Sequence, residues 1–397
     1  MKSIFVIFLC FVVVDGALAS DAIIWRQEIS CDSNSRCRPG ALMVDKISNE
    51  LIILGTSERA DTREADCWLW RIDPNGAVIN KKLLGLLSKY GSFTVGPFGI
   101  KATVMCNTGD IMRLNLDDAN SMSLSITSRD MQSSAVKLNT PARKLPGTLI
   151  LHDMISCQNN GFLLVGQDGM DGIVMRTDLS GNIVWSKIFN REQVDILSSV
   201  ACDQDVKDYY VAGLSVLMGS KMTFAGPATV CVLHYDSNGE LKASDFFEGG
   251  LAPWPSSLPK VIYLPCGVVL VVYDKSKNGV ATELYAKAYT EELTPLWEKQ
   301  MLQTKEDGPP AYFDICATSG DRFVLVGQVN YWDLRLYEYG ADGTILQTFQ
   351  LDGEIGAGGI YANYLDGRIF VTYAGRLKEN EEGIKIKVLA LKPYKAN

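Results

Sequence analysis

Ten cysteines and two histidines are the residues of this 397-residue chain with the most chemical potential. Five of the cysteines, Cys106, Cys157, Cys202, Cys266 and Cys316, each close a short apolar segment of strand-like pattern. Thiols gathered in a ring would hold a soft metal or exchange electrons. Cysteine is also a small apolar side chain suited to a crowded inner strand, and no C-x-x-C favours a metal. Neither histidine lies beside a cysteine, so no metal site is expected. Cys31 and Cys37, close together in "SCDSNSRC", are the expected disulfide. Cys67 and Cys231 occupy matching positions and are expected to be buried.

His152 precedes Asp153 in "LHDM", where an imidazole would serve as a general base or a binding group. Adjacent residues on a regular strand point to opposite faces, so the two are not expected to form a simple dyad. His234 stands where the same motif carries Arg71 and Arg176, which is a structural position. No G-x-S-x-G, H-E-x-x-H, P-loop or dinucleotide fingerprint occurs in its required context. "DGMDG", Asp168 to Gly172, offers carboxylates for Ca²⁺ but lacks the length of an EF-hand loop, so an exposed turn is expected. The remaining Asp and Glu are dispersed, and no pair suited to glycoside cleavage stands out. No catalytic residue and no cofactor is specified.

Recognition is better placed in the loops. "VLMGSKMTFAGPAT" (Val216 to Thr229) is rich in Met, Phe and Gly, "EGGLAPWPSSLP" (Glu248 to Pro259) carries Trp254, and "VNYWD" carries Tyr331 and Trp332. Exposed aromatics there would suit a carbohydrate or a protein; folded back, they would pack between neighbouring elements. "KENEEG", Lys378 to Gly383, reads as a solvated hairpin loop.

The elements that must hold these residues are repeats. "DMISCQNNGFLLVGQDGMDGIVMRTDLSGNIVWSKIF", ending at Phe189, divides into four alternating segments punctuated by Gly, Asn and Asp. Copies run from Leu42 to Leu84, Ser198 to Phe247 and Phe313 to Leu351. Weaker copies start near Ala102, span Val261 to Met301, and span Gly359 to Pro393. A Gly ends the second segment at Gly55, Gly166, Gly213 and Gly327, and a turn Gly recurs at Gly76, Gly181, Gly239 and Gly343. The last copy stops after three segments. "AIIWRQEIS", Ala22 to Ser30, matches the missing fourth, with Trp25 in the place of Trp185.

A four-stranded antiparallel sheet that is apolar on both faces is stable only when stacked between neighbours. The expected fold is therefore all-β: a seven-bladed β-propeller with four antiparallel strands per blade, the ring closed by the N-terminal strand joining the C-terminal blade. Six blades is the alternative count, because the second copy is degraded from Leu116 to Pro146. Inner strands of neighbouring blades should mostly be too far apart for direct disulfides.

The pattern R-x-D-x-x-G-x-[IV]-x-W resembles the repeats of secreted bacterial propellers and, more distantly, the PQQ-type repeat. Two departures separate it from the latter: the Asp there sits one residue further from the Gly, and the Trp recurs here only as Trp25, Trp185 and Trp297. The resemblance covers most of the chain and implies a fold far better than an activity.

Lys2, the apolar run Ile4 to Val14 and the small residues Ala17 to Ala19 read as an export signal over residues 1–19, followed by a single domain over 20–397. A secreted or periplasmic location follows, in an oxidising compartment. No second apolar run is long enough for a membrane span. A net charge of −8 without a basic run argues against a nucleic-acid partner. The sequence favours a module that binds or scaffolds a protein or glycan ligand. The alternative is an enzyme at a channel mouth, a quinoprotein-like oxidoreductase or a polysaccharide hydrolase or lyase. The oligomeric state is left open.

Overall fold

The computed structural model describes residues 22–29, 35–59, 65–87, 103–105, 110–118, 121–137, 149–157, 161–191, 194–217, 228–250, 258–277, 280–303, 313–329, 333–351, 355–376 and 384–393. These residues form β-strands and turns with no helix. After β1 (Ile23–Ile29), the strands follow in groups of four. The first group is β2 (Ser35–Asp45), β3 (Glu50–Arg59), β4 (Ala65–Ile72) and β5 (Val78–Leu87). Next come β6 (Thr103–Met105), β7 (Ile111–Asp118), β8 (Ser121–Thr127) and β9 (Ser133–Lys137), then β10 (Leu149–Ser156), β11 (Phe162–Asp168), β12 (Asp171–Thr177) and β13 (Ile183–Phe189). Further on lie β14 (Val194–Cys202), β15 (Asp208–Val216), β16 (Thr229–Asp236) and β17 (Leu241–Glu248). They are followed by β18 (Lys260–Leu264), β19 (Val268–Lys277), β20 (Val280–Tyr289) and β21 (Pro295–Gln303). The chain ends in β22 (Phe313–Ala317), β23 (Arg322–Val329), β24 (Asp333–Gly340) and β25 (Ile345–Leu351), and the three strands β26 (Ile355–Leu365), β27 (Arg368–Arg376) and β28 (Ile384–Leu391).

Five groups are separate four-stranded antiparallel sheets, and one sheet has eight strands. The count of sheets is thus six, the alternative rather than the expected seven. The physical reason is a single parallel bridge, Arg36 to Ile384, which joins β28 to β2 and merges the last strands with the first group. On the same strand β28, β1 pairs antiparallel from Ile23 opposite Leu391 to Ile29 opposite Ile386.

Strand chemistry follows position. The second strand of a group is buried on both faces: Phe162, Leu163, Leu164 and Val165 of β11 have no exposure. The fourth strand alternates half-buried and exposed residues, as β13 does from Ile183 to Phe189. Between the groups β10–β13 and β14–β17, Leu163, Val165 and Val174 pack on Leu197, Tyr209 and Val211. Each sheet buries its apolar faces against its neighbours, as a propeller requires. Cys67 and Cys231 lie in these layers with no exposure.

Candidate functional site

The antiparallel order gives the molecule two unlike faces. Connections from the first to the second strand, and from the third to the fourth, all emerge on one face; the others emerge opposite. The first face is built from short turns. Asp178 Oδ1 accepts the N–H groups of Ser180 and Asn182, both at 2.8 Å, while Gly181 sits at φ +79°. Asp73 with Gly76 (φ +93°) and Asp236 with Gly239 (φ +79°) repeat the arrangement. Hydrogen bonds from Asn182, side chain and backbone, hold the Asp178 carboxyl below its ordinary range. The carboxylates of this turn face are therefore capping groups.

The strand ends on the opposite, loop face are those that the long connections join: 88–102, 138–148, 217–228, 249–259 and 304–312. All three recognition loops expected from sequence join strand ends on this face. Thr229 is opposite Glu248 and Val194 opposite Val216, which puts the ends of 217–228 and 249–259 together. Trp254, Tyr331 and Trp332 themselves lie outside the described residues. "DGMDG" is also here, as a tight hairpin with Asp168 opposite Asp171 and Gly169 at φ +67°. Asn190 donates to Asp171 Oδ1 at 2.7 Å.

His152 and Asp153 lie on the inner strand β10, and both are half-buried. Here the structure corrects the expectation of strict alternation. Leu151 pairs with Gly166 and Asp153 with Val165, so His152 is the extra residue of a β-bulge. The same bulge recurs at Ser198 of β14 and Gly40 of β2, each time opposite the repeated Gly. A Cβ on Gly166 would lie 2.0 Å from the Ile150 carbonyl oxygen, and one on Gly213 2.4 Å from that of Ile196. At Gly166 and Gly213 the missing side chain admits the bulge, whereas Gly327 stands opposite Phe313 in a regular ladder.

Asp153 is committed to structure. Its Oδ1 accepts the Met154 N–H and its Oδ2 the Val200 N–H of the next sheet, both at 2.9 Å. Equivalent inner-strand positions continue the stitching: Ser199 Oγ accepts the Val261 N–H at 3.2 Å, Lys260 pairs with Asp314, and Asp314 Oδ2 accepts the Ala362 N–H at 2.8 Å. Asn363 donates to the Leu42 carbonyl at 3.2 Å, joining the C-terminal strands to β2.

The thiol ring does not assemble a metal centre among the described residues. Cys106 is outside them, Cys157 and Cys316 are buried, Cys202 is half-buried and Cys266 exposed, all four as free thiols. Burial pushes the Cys157 and Cys316 thiols up and the Cys202 thiol to about 12, the reverse of a nucleophile or ligand. Cys31 also lies outside the described residues, so its pairing is not seen; Cys37 is buried on β2.

The repeat's Trp and Arg stand out in the sequence, but their partners do not. Trp185 Nε1 donates to the Ser237 carbonyl at 3.1 Å, and its ring covers Gly239 in the turn of the next group. Trp25 treats Pro74 and Gly76 alike, and Trp297 treats Ala341 and Gly343 alike. Arg71 and Arg176, the Arg of the motif, donate to the carbonyls of Arg129 and Ser237 in turns of the next group, and Arg368 at the start of β27 donates to that of Pro74. His234, in the Arg position, instead bonds Asp208 at 2.8 Å and stacks on Tyr210. The signal is present in the motif, which has both Trp and turn, but the contact joins different copies.

No family model matches the chain, and no curated protein does. Among solved structures it is similar to the Dos1 propeller, at 11% identity over 88% of this chain and 77% of that one, with a TM-score of 0.51. It is similar to BBS1N in a complex with ARL6DN, at 12% identity over 94% and 97%, with a TM-score of 0.51. The β-propeller domain of the Trilobed protease from Pyrococcus furiosus, which has an open velcro topology, matches at 7% identity over 91% and 96%, with a TM-score of 0.50. At such identities the likeness shows the fold alone, an all-β propeller of four-stranded blades.

Proposed function

We propose that this propeller is an exported binding module that takes a protein or carbohydrate ligand on its loop face. The observation that carries the reading is the segregation of connections: every long one joins strand ends on one face, while capped turns and interlocking Trp side chains occupy the other. In this reading Trp254, Tyr331 and Trp332 supply the contact area, with His152 and Asp153 on the inner wall beneath. The loop segments also bring Met218, Met222 and Phe224, apolar groups suited to an interface. The enzyme alternative is disfavoured because the acidic groups that would serve it, Asp153 and Asp314 among them, hold neighbouring sheets together.

Export rests on the leader, Lys2 with Ile4 to Val14 and Ala17 to Ala19. A Cys31–Cys37 disulfide fits the same compartment. The pairing of β1 with β28 supports a ring fastened by the N-terminal segment.

The test expresses the chain with its leader, sequences the mature N-terminus, and screens the product on a glycan array and against extracellular proteins of its source by direct titration. Trp254→Ala and the double variant Tyr331→Ala, Trp332→Ala should weaken the ligand found at least about tenfold while leaving Tm unchanged. A ligand that binds both variants as it binds the parent refutes the loop-face site.

A further inference from the structure

Arg335 stands where other sheets put an apolar side chain. The repeated glycine of the second strand lies opposite one residue of the third: Gly55 pairs with Trp68, Gly166 with Ile173, Gly213 with Cys231 and Gly327 with Arg335. Ile173 and Cys231 are buried. Arg335 is half-buried, and its Nε is shut off from solvent without a hydrogen-bond partner. Its guanidinium makes no hydrogen bond or ion pair among the described residues, whereas Arg71, Arg129, Arg176 and Arg368 all reach an acceptor. Tyr337 and Tyr339 follow on the same face of β24, in a layer shared with Leu284 and Met301 of the preceding sheet. A charge drawn into such a layer without a counter-charge weakens the fold, and the corresponding residues show that an apolar side chain fits there. The position opens towards the loop face. Arg335 is the third residue of β24, just after the connection 330–332, and its cross-strand neighbours are Gly327, which has no side chain, and the exposed Gln350.

We propose that Arg335 seats the carboxylate of an Asp or Glu side chain from a protein partner bound on the loop face. The inference rests on the loop-face reading and specifies the chemistry of the ligand. The end of a guanidinium offers two parallel N–H donors to one carboxylate, and the pair is strong where water is excluded. The bound carboxylate supplies the counter-charge that the fold withholds. A net charge of −8 favours an isolated carboxylate in an apolar segment over an acidic polysaccharide, whose evenly spaced charges the rest of the molecule repels. Met218, Met222 and Phe224 of the loops suit the apolar flanks of such a segment.

The experiment pans a linear random-peptide library on the folded protein and titrates the enriched peptides against parent, Arg335→Leu and Arg335→Lys. Arg26→Gln, which removes an exposed guanidinium from the rim strand β1, is the control. Enriched peptides should carry an Asp or Glu among apolar residues. Arg335→Leu should weaken them at least about tenfold, Arg335→Lys less, and Arg26→Gln not at all. Replacing the peptide's acidic residue by its amide should weaken binding to the parent as much, and binding to Arg335→Leu hardly further. Arg335→Leu should melt no more than about 2 °C below the parent, because it breaks no bond. A larger fall overturns the inference, since the guanidinium would then hold the fold together. So does a library that enriches nothing, or one whose peptides bind parent and Arg335→Leu alike. Oligogalacturonate bound through Arg335 where no peptide binds overturns the assignment to a protein. Peptides lost with Trp254→Ala or with the Tyr331→Ala, Trp332→Ala double variant but kept by Arg335→Leu refute this inference and leave the loop-face reading standing. Peptides that need Arg335 and neither aromatic variant refute the aromatic contacts alone.

Discussion

Asp153 Oδ2 accepts the backbone N–H of Val200 at 2.9 Å, and this one bond ties the inner strand of one sheet to the inner strand of the next. The acceptor side chain and the bulge that presents it come from one sheet, and the amide from its neighbour. Asp153→Ala would leave the Val200 N–H without that acceptor and should cost about 1–3 kcal/mol in chemical denaturation, with an unchanged denaturant slope. Asp153→Asn keeps one acceptor, enough for the Val200 N–H but not for the Met154 N–H as well, and should lose less than Asp153→Ala. Equal losses for both variants would mean that the carboxylate charge, rather than the bond, holds the seam.

Two glycine substitutions separate close approach from backbone preference. A Cβ at Gly166 would meet the Ile150 carbonyl oxygen at 2.0 Å, and the backbone there has no room to move without undoing the bulge. Gly166→Ala should therefore fail to give a native protein or lose upwards of about 4 kcal/mol. Gly320 has φ +73°, and a methyl group added there would meet nothing within 4 Å, so Gly320→Ala should cost only about 1 kcal/mol. Circular dichroism and melting of the two variants decide the matter, and similar stabilities would contradict the bulge account.

Acid should act through Asp45. This carboxylate is 1% exposed and bonds Arg129 at 2.7 Å and Arg71 at 3.2 Å. Burial works against its ionisation, but hydrogen bonds from Ser48, Arg129 and the Ile47 and Ser48 amides outweigh it and hold the group below 3.8. A folded-state value below the unfolded one gives stability that is complete above about pH 4 and is lost as pH falls further. Asp45→Asn should lose about 3 kcal/mol at neutral pH and show a shallower decline between about pH 5 and pH 2. Parallel pH–stability curves for parent and variant would exclude the assignment.

The N-terminal strand should behave as a fastener. Trp25 donates to the Pro74 carbonyl at 2.8 Å and covers Gly76, while Lys392 donates to the Ala22 carbonyl at 3.0 Å. Trp25→Ala should cost about 2–4 kcal/mol. Deleting residues 1–30 should cost more, and hydrogen exchange should rise first along β28, whose edge is then bare. Protection of β28 that survives the deletion would show that β1 fastens nothing.

Much of the architecture is written in the order of residue types along the chain. Alternating apolar residues, the Asp and Gly of each turn and the repeat length determine four-stranded antiparallel units, and the resemblance of Ala22–Ser30 to Ile183–Phe189 already indicates a displaced fourth strand. These features are local: a turn needs a glycine at positive φ, and a strand buried on both faces needs an unbroken apolar run. Only the tertiary structure decided what joins the units. The partner of Trp185 is a glycine beyond a bulged strand and a hairpin, the partner of Asp153 is an amide of the next sheet, and the six-sheet count turns on one bridge between Arg36 and Ile384. Such contacts link residues whose separation follows from the stacking of whole sheets, and no local pattern encodes it. His152 shows the limit best: alternation along a strand predicts where a side chain points, but the bulge that resets it brings the backbone of β10 itself against Gly166 of β11.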